Sequence, residues 1–142
     1  MNKKAFESDA FNLPPLEYKS KKGTTVNEYS QTSTIYKFED GSTYQGGMDA
    51  SLSRNGIGVC VTKEGDVYEG TWVADKPDGI GRFIRYNGDY YQGGFKNGLP
   101  DGYGISREGE DKVKYEGDWV KSFKTGQGKV TFTDGSFFSG DH

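Results

Sequence analysis

Residues 68–81, Tyr-Glu-Gly-Thr-Trp-Val-Ala-Asp-Lys-Pro-Asp-Gly-Ile-Gly, contain the pattern that decides the fold of this chain. A motif of an aromatic residue, any residue and a glycine begins at Tyr44, Tyr68, Tyr91, Tyr115 and Phe138, at steps of 24, 23, 24 and 23 residues. A second motif, Gly-x-Gly, begins in phase with it at Gly56, Gly79, Gly102 and Gly126. Two motifs that stay in phase over successive periods indicate a repeat protein.

Each repeat is predicted to form two antiparallel strands. In an extended strand Tyr68, Gly70 and Trp72 project from one face, because side chains alternate between the faces. Residues 74–78 have the composition of a turn-rich linker before the Gly-x-Gly strand, and Asn87-Gly88 is a strong hairpin signal before the next repeat begins. The sequence therefore predicts an all-β fold, an elongated single-layer antiparallel meander of β-hairpin repeats with a period of 23–24 residues.

Glycine recurs at fixed positions of the predicted strands, where it normally weakens a sheet. A glycine leaves room for an aromatic ring of the neighbouring strand to lie flat over the backbone. We therefore expect Gly81→Val to be more damaging than most surface changes. The predicted structural glycines are Gly46, Gly58, Gly70, Gly81, Gly93, Gly104, Gly117 and Gly128.

Departures from the repeat define the predicted organisation of the chain. Residues 1–20 do not follow the pattern and are predicted to be an extended N-terminal arm, and residues 21–43 read as a degenerate capping repeat. Residues 44–142 contain four repeats and a C-terminal half repeat. One extra residue lies between Gly104 and Tyr115, which predicts a bulged or longer turn there.

The repeat unit resembles the MORN (membrane occupation and recognition nexus) repeat, with residues 68–81 as its best copy and the resemblance covering about residues 36–142. The resemblance implies a hairpin-repeat sheet that serves as a scaffold. Relatives occur in ciliary axonemes, parasite cytoskeletons and junctional membrane tethers, or beside catalytic domains. The family often has a histidine just before the paired glycines, where this chain has Asn55, Asp78, Asp101 and Thr125.

Composition and charge restrict the partners. The net charge is −3: residues 1–34 have five basic and four acidic residues (+1), and the remainder has 13 basic and 17 acidic residues (−4). An acidic body lacks the basic surface that nucleic acid or anionic lipid requires, so we expect no nucleic-acid partner and do not favour a membrane. The chain shows no signal-peptide pattern or spanning segment, which predicts a cytoplasmic location.

The sequence offers no catalytic or metal-binding group of residues. No helical periodicity follows the Gly-x-Gly motifs, so they are not phosphate loops. Cys60, the single cysteine, reads as a small buried residue, and the single histidine, His142, has no further ligands near it. The carboxylates Glu110 and Asp111 lie in a predicted turn, where acidic residues are common. We therefore expect no enzyme activity, no catalytic or metal site and no cofactor.

Two sets of apolar residues are candidates for binding a partner protein. Because a single-layer sheet cannot bury both of its faces, we expect part of the aromatic face to remain open. The predicted aromatic face consists of Tyr44, Tyr68, Trp72, Tyr91, Phe95, Tyr115 and Trp119. The second set is the apolar residues of the N-terminal arm: Phe6, Phe11, Leu13, Leu16 and Tyr18.

These features favour a non-catalytic structural scaffold that binds other protein subunits in a large multi-subunit complex. The family resemblance implies a cytoskeletal setting, with a ciliary axoneme ahead of other settings. The alternative is a peripheral membrane tether that binds phosphoinositide lipids, which would require a cluster of basic residues on one face.

Overall fold

The computed structural model of the protein describes residues 34–141, together with the backbone of residues 18–19 and 25–26. This part of the chain is all-β, with no helix and therefore no helix able to cross a membrane. Its strands are β1 (Tyr18–Lys19), β2 (Thr25–Val26), β3 (Tyr36–Lys37), β4 (Thr43–Met48), β5 (Arg54–Val61), β6 (Val67–Val73), β7 (Lys76–Ile84), β8 (Tyr90–Lys96), β9 (Leu99–Glu108), β10 (Val113–Val120), β11 (Phe123–Thr131) and β12 (Phe137–Asp141).

Strands β3 to β12 form one open sheet in which every strand pairs antiparallel with its neighbours in the chain. The predicted meander of hairpin repeats is therefore confirmed. Strands β1 and β2 form a separate two-stranded antiparallel sheet, with Tyr18 opposite Val26. The edge strands of the large sheet are β3 and β12.

A continuous row of glycines crosses the large sheet from β4 to β12. At each of the eight strand pairings, a glycine lies directly opposite a glycine, as in Gly58↔Gly70 and Gly70↔Gly81. The row consists of Gly46, Gly58, Gly70, Gly81, Gly93, Gly104, Gly117, Gly128 and Gly140. The eight glycines singled out from the sequence all lie in this row.

Tyrosine rings cover the glycine row on one side of the sheet. A Cβ atom added at Gly81 would lie 2.2 Å from Oη of Tyr68, and one at Gly58 would lie 2.2 Å from Oη of Tyr44. Each buried tyrosine also donates a hydrogen bond to a main-chain carbonyl three residues further on, as from Tyr44 Oη to Gly47 O at 2.8 Å. The glycines are therefore required by the space that the rings occupy.

Seven aromatic rings interlock into one ladder along this side, which we call the ring face. Each ring meets the next edge to face, with centroids 4.9–5.4 Å apart. Trp72, for example, lies between Tyr44 of the preceding repeat and Tyr68 of its own. In the order of their contacts, the rings are Tyr44, Trp72, Tyr68, Phe95, Tyr91, Trp119 and Tyr115. Edge-to-face contacts of this kind stabilise a core beyond the burial of the rings.

Two kinds of turn join the strands. The predicted linker at residues 74–78 is wrong in length: Ala74 and Asp75 form a two-residue turn with φ of 47° and 73°, and β7 already begins at Lys76. Positive φ at both positions is typical of the tight type I′ hairpin, whose twist matches the strands. At the other end of the strands, the prediction of a bulged or longer turn at 109–112 is wrong. Four residues lie between the paired Glu108 and Val113, without a bulge in the β9–β10 register, whereas five lie between the paired ends of the corresponding turns at 62–66 and 85–89. The extra residue therefore extends the pairing of β9 with β10 and does not lengthen the turn.

Several predictions lie partly or wholly outside the described residues. The N-terminal arm falls there apart from the backbone of 18–19, and so does most of the capping repeat before residue 34. Within the described part of that repeat, Tyr36 pairs with Tyr44, so a short strand does precede the first turn. His142 also lies outside the described residues.

Candidate partner-binding surface

The ring face brings together all seven aromatic residues predicted to bind a partner, but it buries them. Their exposed fractions are only 1–6%. The expectation that these particular rings remain open to solvent is wrong, because each ring is covered by rings of its own and the adjacent repeat. Alternation along the strands placed them on one face, but the contacts between successive repeats could not be read from one repeat alone. Their role in partner binding stays a prediction.

What remains open on the ring face is a groove between the ladder and the tight turns. Its volume is about 410 Å³, and its lining includes Trp72, Phe95, Pro77 and Pro100, with Arg54 and Asp75 at one end. A second groove of about 310 Å³ lies further along the same face, against Phe83, Pro100 and Trp119. The edges of the buried rings thus form the walls of a shallow, largely apolar channel.

One position of the repeat determines the chemistry along this groove. It is the residue directly opposite the second aromatic position of each repeat: Arg54 opposite Met48, Pro77 opposite Trp72, Pro100 opposite Phe95 and Lys124 opposite Trp119. Proline occupies the two middle repeats, and a cation occupies each outer one. The repeat thus accepts both an apolar ring and a long cationic side chain at this position.

The two cations lie against the ends of the ring ladder. The Arg54 guanidinium lies 4.5 Å from the ring centre of Trp72 and 5.2 Å from that of Phe38. Lys124 Nζ lies 5.1 Å from the centre of Tyr115. Arg54 Nε also donates a 2.6 Å hydrogen bond to Asp75, and this contact lowers the pKa of the Asp75 carboxyl group. Cation–π contacts of this kind stabilise the two ends of the ladder, where no further ring follows.

The tight turns of successive repeats are tied to each other along one side of the groove. Gly98 N donates to Pro77 O at 2.8 Å, and Ser122 N donates to Pro100 O at 2.9 Å. The side chains of Asp78 and Asp101 accept further hydrogen bonds, each 3.2 Å long, from Asn97 N and Lys121 N of the next turn.

These two aspartates occupy the position where the family often has histidine. This role of Asp78 and Asp101 was not predicted from the sequence, which shows only that the histidine is missing. The sequence did contain an indication of this role, because a short acidic side chain before a glycine is well suited to accept a main-chain hydrogen bond from a turn.

Three phenylalanines of β11 and β12 are exposed, although they do not share one surface, because the consecutive Phe137 and Phe138 point to opposite faces of the sheet. Phe123, Phe137 and Phe138 are 73%, 63% and 56% exposed. Phe138 occupies the first aromatic position of its repeat and lies over Gly140, yet the corresponding Tyr44, Tyr68, Tyr91 and Tyr115 are buried. The exposure of Phe138 could not be predicted from the sequence, because the motif at 138–140 has the same form as the buried ones.

The remaining sequence candidates within residues 34–141 do not form a metal-binding cluster. Cys60 is buried, as expected, and burial raises the pKa of its thiol. Glu110 and Asp111 are exposed in their turn. Among the described residues, no cluster of histidine, cysteine and carboxylate side chains has the arrangement needed to hold a metal ion. The arm residues Phe6, Phe11, Leu13 and Leu16, and the side chain of Tyr18, lie outside the described part.

The face opposite the rings has a different character. Its central row contains an ion pair between Arg82 Nη1 and Glu69 Oε1 at 2.9 Å. Arg82 Nε also donates to Gln92 Oε1 at 3.1 Å. Glu69, Arg82 and Gln92 occupy consecutive cross-strand positions on β6, β7 and β8. We call this group the polar network.

Comparison with known proteins identifies the repeat. Three consecutive segments match the MORN repeat: residues 68–90, 91–107 and 115–137. None of the curated proteins that were compared matches the chain. MORN repeats are known in scaffolds that bind proteins or lipids, and the repeat is generally a non-enzymatic module. The matched segments are β-hairpin repeats of one sheet with a shared glycine row and ring ladder, and residues 68–137 therefore contain three consecutive MORN repeats.

Proposed function

We propose that the protein is a non-catalytic structural scaffold that binds partner proteins through the groove of its ring face. The observation that carries the proposal is the groove itself: an apolar channel of about 410 Å³ whose walls are the fixed rings of the core. Binding to these rings costs the scaffold little conformational entropy, because the edge-to-face ladder and the tyrosine hydrogen bonds already hold the walls of the groove in place.

The chemistry of the groove favours an apolar segment of a protein partner. Pro77 and Pro100 line the groove beside Trp72 and Phe95 and make this part of its lining apolar. Aromatic and proline-lined channels of this kind take extended peptide segments, with polar groups at the ends to fix their direction. At one end the Arg54–Asp75 ion pair supplies such groups.

A comparison of two double variants tests this function. Pro77→Lys with Pro100→Lys introduces two cations into the groove at a position where the chain itself already has Arg54 and Lys124, so the sheet should still fold. The control is Ile80→Lys with Tyr103→Lys, which adds the same charge at exposed positions of the opposite face. Each protein is used for proximity labelling in cells followed by quantitative mass spectrometry.

We expect the groove variant to lose a defined set of partner proteins that the control variant retains. If both variants and the unchanged protein label the same set with the same intensity, the groove is not the binding surface. Circular dichroism and thermal unfolding of the purified variants check that the sheet is intact.

The proposed setting is a large cytoskeletal assembly in the cytoplasm, with a ciliary axoneme as the first candidate, by analogy with other proteins of this family. Fluorescence localisation in ciliated cells, followed by detergent extraction, tests this setting. Retention of the protein in the extracted axoneme is the expected result. Complete loss with the soluble fraction would contradict it.

Charge argues against the alternative of a phosphoinositide tether. After residue 34 the chain has 13 basic and 17 acidic residues, and the basic residues Arg54, Arg82, Lys112 and Lys114 are paired with carboxylates. An anionic membrane attracts a protein mainly through clustered, unpaired basic side chains. Co-sedimentation with phosphoinositide-containing liposomes at physiological salt is therefore expected to leave the protein in solution.

A further inference from the structure

The two grooves of the ring face join into one channel that crosses the strands. They share Phe83, Tyr91 and Pro100 in their linings. The second aromatic positions of three successive repeats, Trp72, Phe95 and Trp119, line the channel one after another. A segment that binds along the channel therefore meets the same kind of aromatic wall once in every repeat.

The spacing of these walls restricts the conformation of a bound segment. Neighbouring strands are about 4.8 Å apart and each repeat contributes two of them, so the walls recur about every 9.6 Å. A polyproline II helix presents the same side every three residues, which is about every 9.3 Å. A β-strand presents the same side about every 6.7 Å, and an α-helix about every 5.4 Å. Of these three conformations, only polyproline II advances by one repeat of the sheet per turn.

One buried donor at the wall of the channel has no acceptor. Trp119 is 6% exposed, and its Nε1 has no hydrogen-bond partner among the described residues. The corresponding Nε1 of Trp72 donates to Gly58 O at 3.2 Å. A buried N–H without an acceptor is unfavourable, so a ligand that brings a carbonyl oxygen to Trp119 gains a hydrogen bond that the free protein lacks.

A polyproline II segment can supply this acceptor. Its carbonyl oxygens are not used in internal hydrogen bonds, so each of them is free to accept one from an indole. The Trp119 N–H is shielded from water, and the nearby Lys124, whose Nζ lies 5.7 Å from the centre of the Trp119 ring, is an exposed, flexible side chain that can move aside. Aromatic-lined grooves on other domains bind proline-rich segments through the same physical features.

We propose that the channel binds a polyproline II segment of a partner protein that has proline at every third position. The proposal rests on the groove function proposed above and specifies the class of its ligand. Three successive prolines of this spacing pack against the walls at Trp72, Phe95 and Trp119, and a main-chain carbonyl of the segment accepts the hydrogen bond from Trp119 Nε1. Proline suits these positions because its ring is apolar and its φ is already fixed, which lowers the entropy cost of ordering the segment.

Charge at the Trp119 end of the channel gives the segment a direction. Glu108 lines this end, is exposed and forms no ion pair within residues 34–141. Asp89 of the same lining is already paired with Lys112 at 3.2 Å, and Arg85 lies on the far side of Asp89 from Glu108. A basic residue directly after the last proline therefore complements the Glu108 carboxylate.

Nuclear magnetic resonance tests the proposal directly, because the chain has two tryptophans and therefore two indole N–H signals. The ¹⁵N-labelled full chain is titrated with the end-blocked peptide Pro-Gln-Ser-Pro-Gln-Ser-Pro-Arg, whose prolines are three residues apart. The control peptide, Pro-Gln-Pro-Ser-Ser-Gln-Pro-Arg, has the same composition and charge, but its prolines are two and four residues apart. The two signals are assigned with the variants Trp72→Phe and Trp119→Phe.

We expect the Trp119 signal to move downfield and to saturate with the first peptide. The Trp72 signal should move less, because its N–H already donates to Gly58 O. The control peptide should bind at least about fivefold more weakly. A Trp119 signal that does not move up to millimolar peptide, or equal affinities for the two peptides, would overturn the proposal. Self-association of the protein without peptide that moves the Trp119 signal would assign the channel to a second copy and would also overturn it.

The same two variants separate the hydrogen bond from the packing of the ring. Phenylalanine occupies the corresponding position at Phe95, so the sheet accommodates this change. Trp119→Phe should weaken binding of the first peptide about fivefold to tenfold, because the free N–H is lost, and Trp72→Phe should weaken it no more than about twofold. Fluorescence anisotropy of labelled peptide measures both affinities. Equal effects of the two variants would contradict the role of the Trp119 donor.

The labelling comparison proposed above distinguishes this inference from the groove function on which it rests. If the variant Pro77→Lys with Pro100→Lys loses partner proteins while the unchanged protein binds neither peptide, the groove function stands and the polyproline II ligand is wrong. If the unchanged protein binds the first peptide and this variant binds it at least about tenfold more weakly, both are supported.

Discussion

The two faces of this sheet differ in how regularly their residues repeat from strand to strand. On the ring face the central row is glycine on every strand from β4 to β12. On the opposite face the neighbouring row differs at almost every strand: Gln45, Val59, Glu69, Arg82, Gln92, Ile105, Glu116, Lys129 and Ser139. The ring face has the same residue at this position of every strand, whereas the residue on the opposite face changes from repeat to repeat.

The difference teaches which face specifies the fold. Rings that lie over a neighbouring strand tolerate no side chain beneath them, so each repeat must supply glycine at the same point. The opposite face has no such steric requirement, and it can carry residues particular to this chain. The glycine row and ring ladder therefore make the sheet, and the opposite face distinguishes its repeats.

The largest expected effect comes from Gly81→Val on the ring face. A side chain at Gly81 would overlap the Tyr68 ring, whose Oη, Cζ and Cε2 atoms lie 2.2–2.6 Å from the position of the added Cβ. The ring cannot move without breaking its contacts with Trp72 and Phe95. We expect a loss of stability of more than about 4 kcal/mol, measured by urea unfolding, because this overlap cannot relax.

Ile80→Ala is the matched control, since Ile80 is adjacent in sequence and exposed on the opposite face. It should change the free energy of unfolding by only about 0.5 kcal/mol. Comparable losses for the two variants would contradict the distinction between the faces.

Trp72→Ala is expected to have the next largest effect. Trp72 is buried between Tyr44 and Tyr68, and its Nε1 donates a 3.2 Å hydrogen bond to Gly58 O. Removing the ring leaves a cavity and an unpaired carbonyl, with an expected cost of about 3–5 kcal/mol. Val73→Ala, one residue further on and exposed, should be close to neutral. Thermal unfolding of both variants checks this; a tolerated loss of Trp72 would show that the ladder is not the core.

The smallest effect appears only at high pH. Burial raises the pKa of Tyr44 from 10.0 to about 12. Because the folded state holds this proton more tightly than the unfolded state, the contribution is complete below pH 10 and is lost as the pH rises through about 12. The hydroxyl group also donates to Gly47 O, a contact that a tyrosinate cannot make.

The measurement is the ultraviolet absorbance of tyrosinate in the unchanged protein and in Tyr44→Phe. The difference between the two titration curves isolates Tyr44 and should show an upward-shifted midpoint. A midpoint at the ordinary tyrosine value would mean that water reaches this end of the ladder.

Much of the architecture could be predicted from local pattern. Alternation placed Tyr68, Gly70 and Trp72 on one face, and Asn87-Gly88 marked a hairpin. The extra residue before Tyr115 was wrongly assigned to the turn, because it extends the pairing of β9 with β10. The linker at 74–78 was misjudged because Pro77 and Asp78 are typical turn residues. In the structure Pro77 packs opposite Trp72, and Asp78 accepts a hydrogen bond from the next turn. Both roles depend on neighbouring strands.

The candidate site was predicted less well for the same reason. The seven rings were correctly grouped, but whether a ring is open or buried depends on the repeat beside it. Phe138 and Tyr115 begin the same motif, yet Tyr115 is buried and Phe138 is exposed. The groove also could not be foreseen, because its walls come from two repeats and its chemistry from the Pro77 and Pro100 positions.

The sequence by itself determined the repeat, its period, the meander and the need for glycine under each ring, because these follow from alternation along a strand and from the size of a side chain. Only the tertiary structure decided which apolar residues are core and which are surface. It also revealed the burial of Arg82 and Glu69 on the face opposite the rings. The burial of a side chain depends on which residues pack over it. In a single-layer sheet these residues are far apart in the chain, so the local sequence does not show the burial.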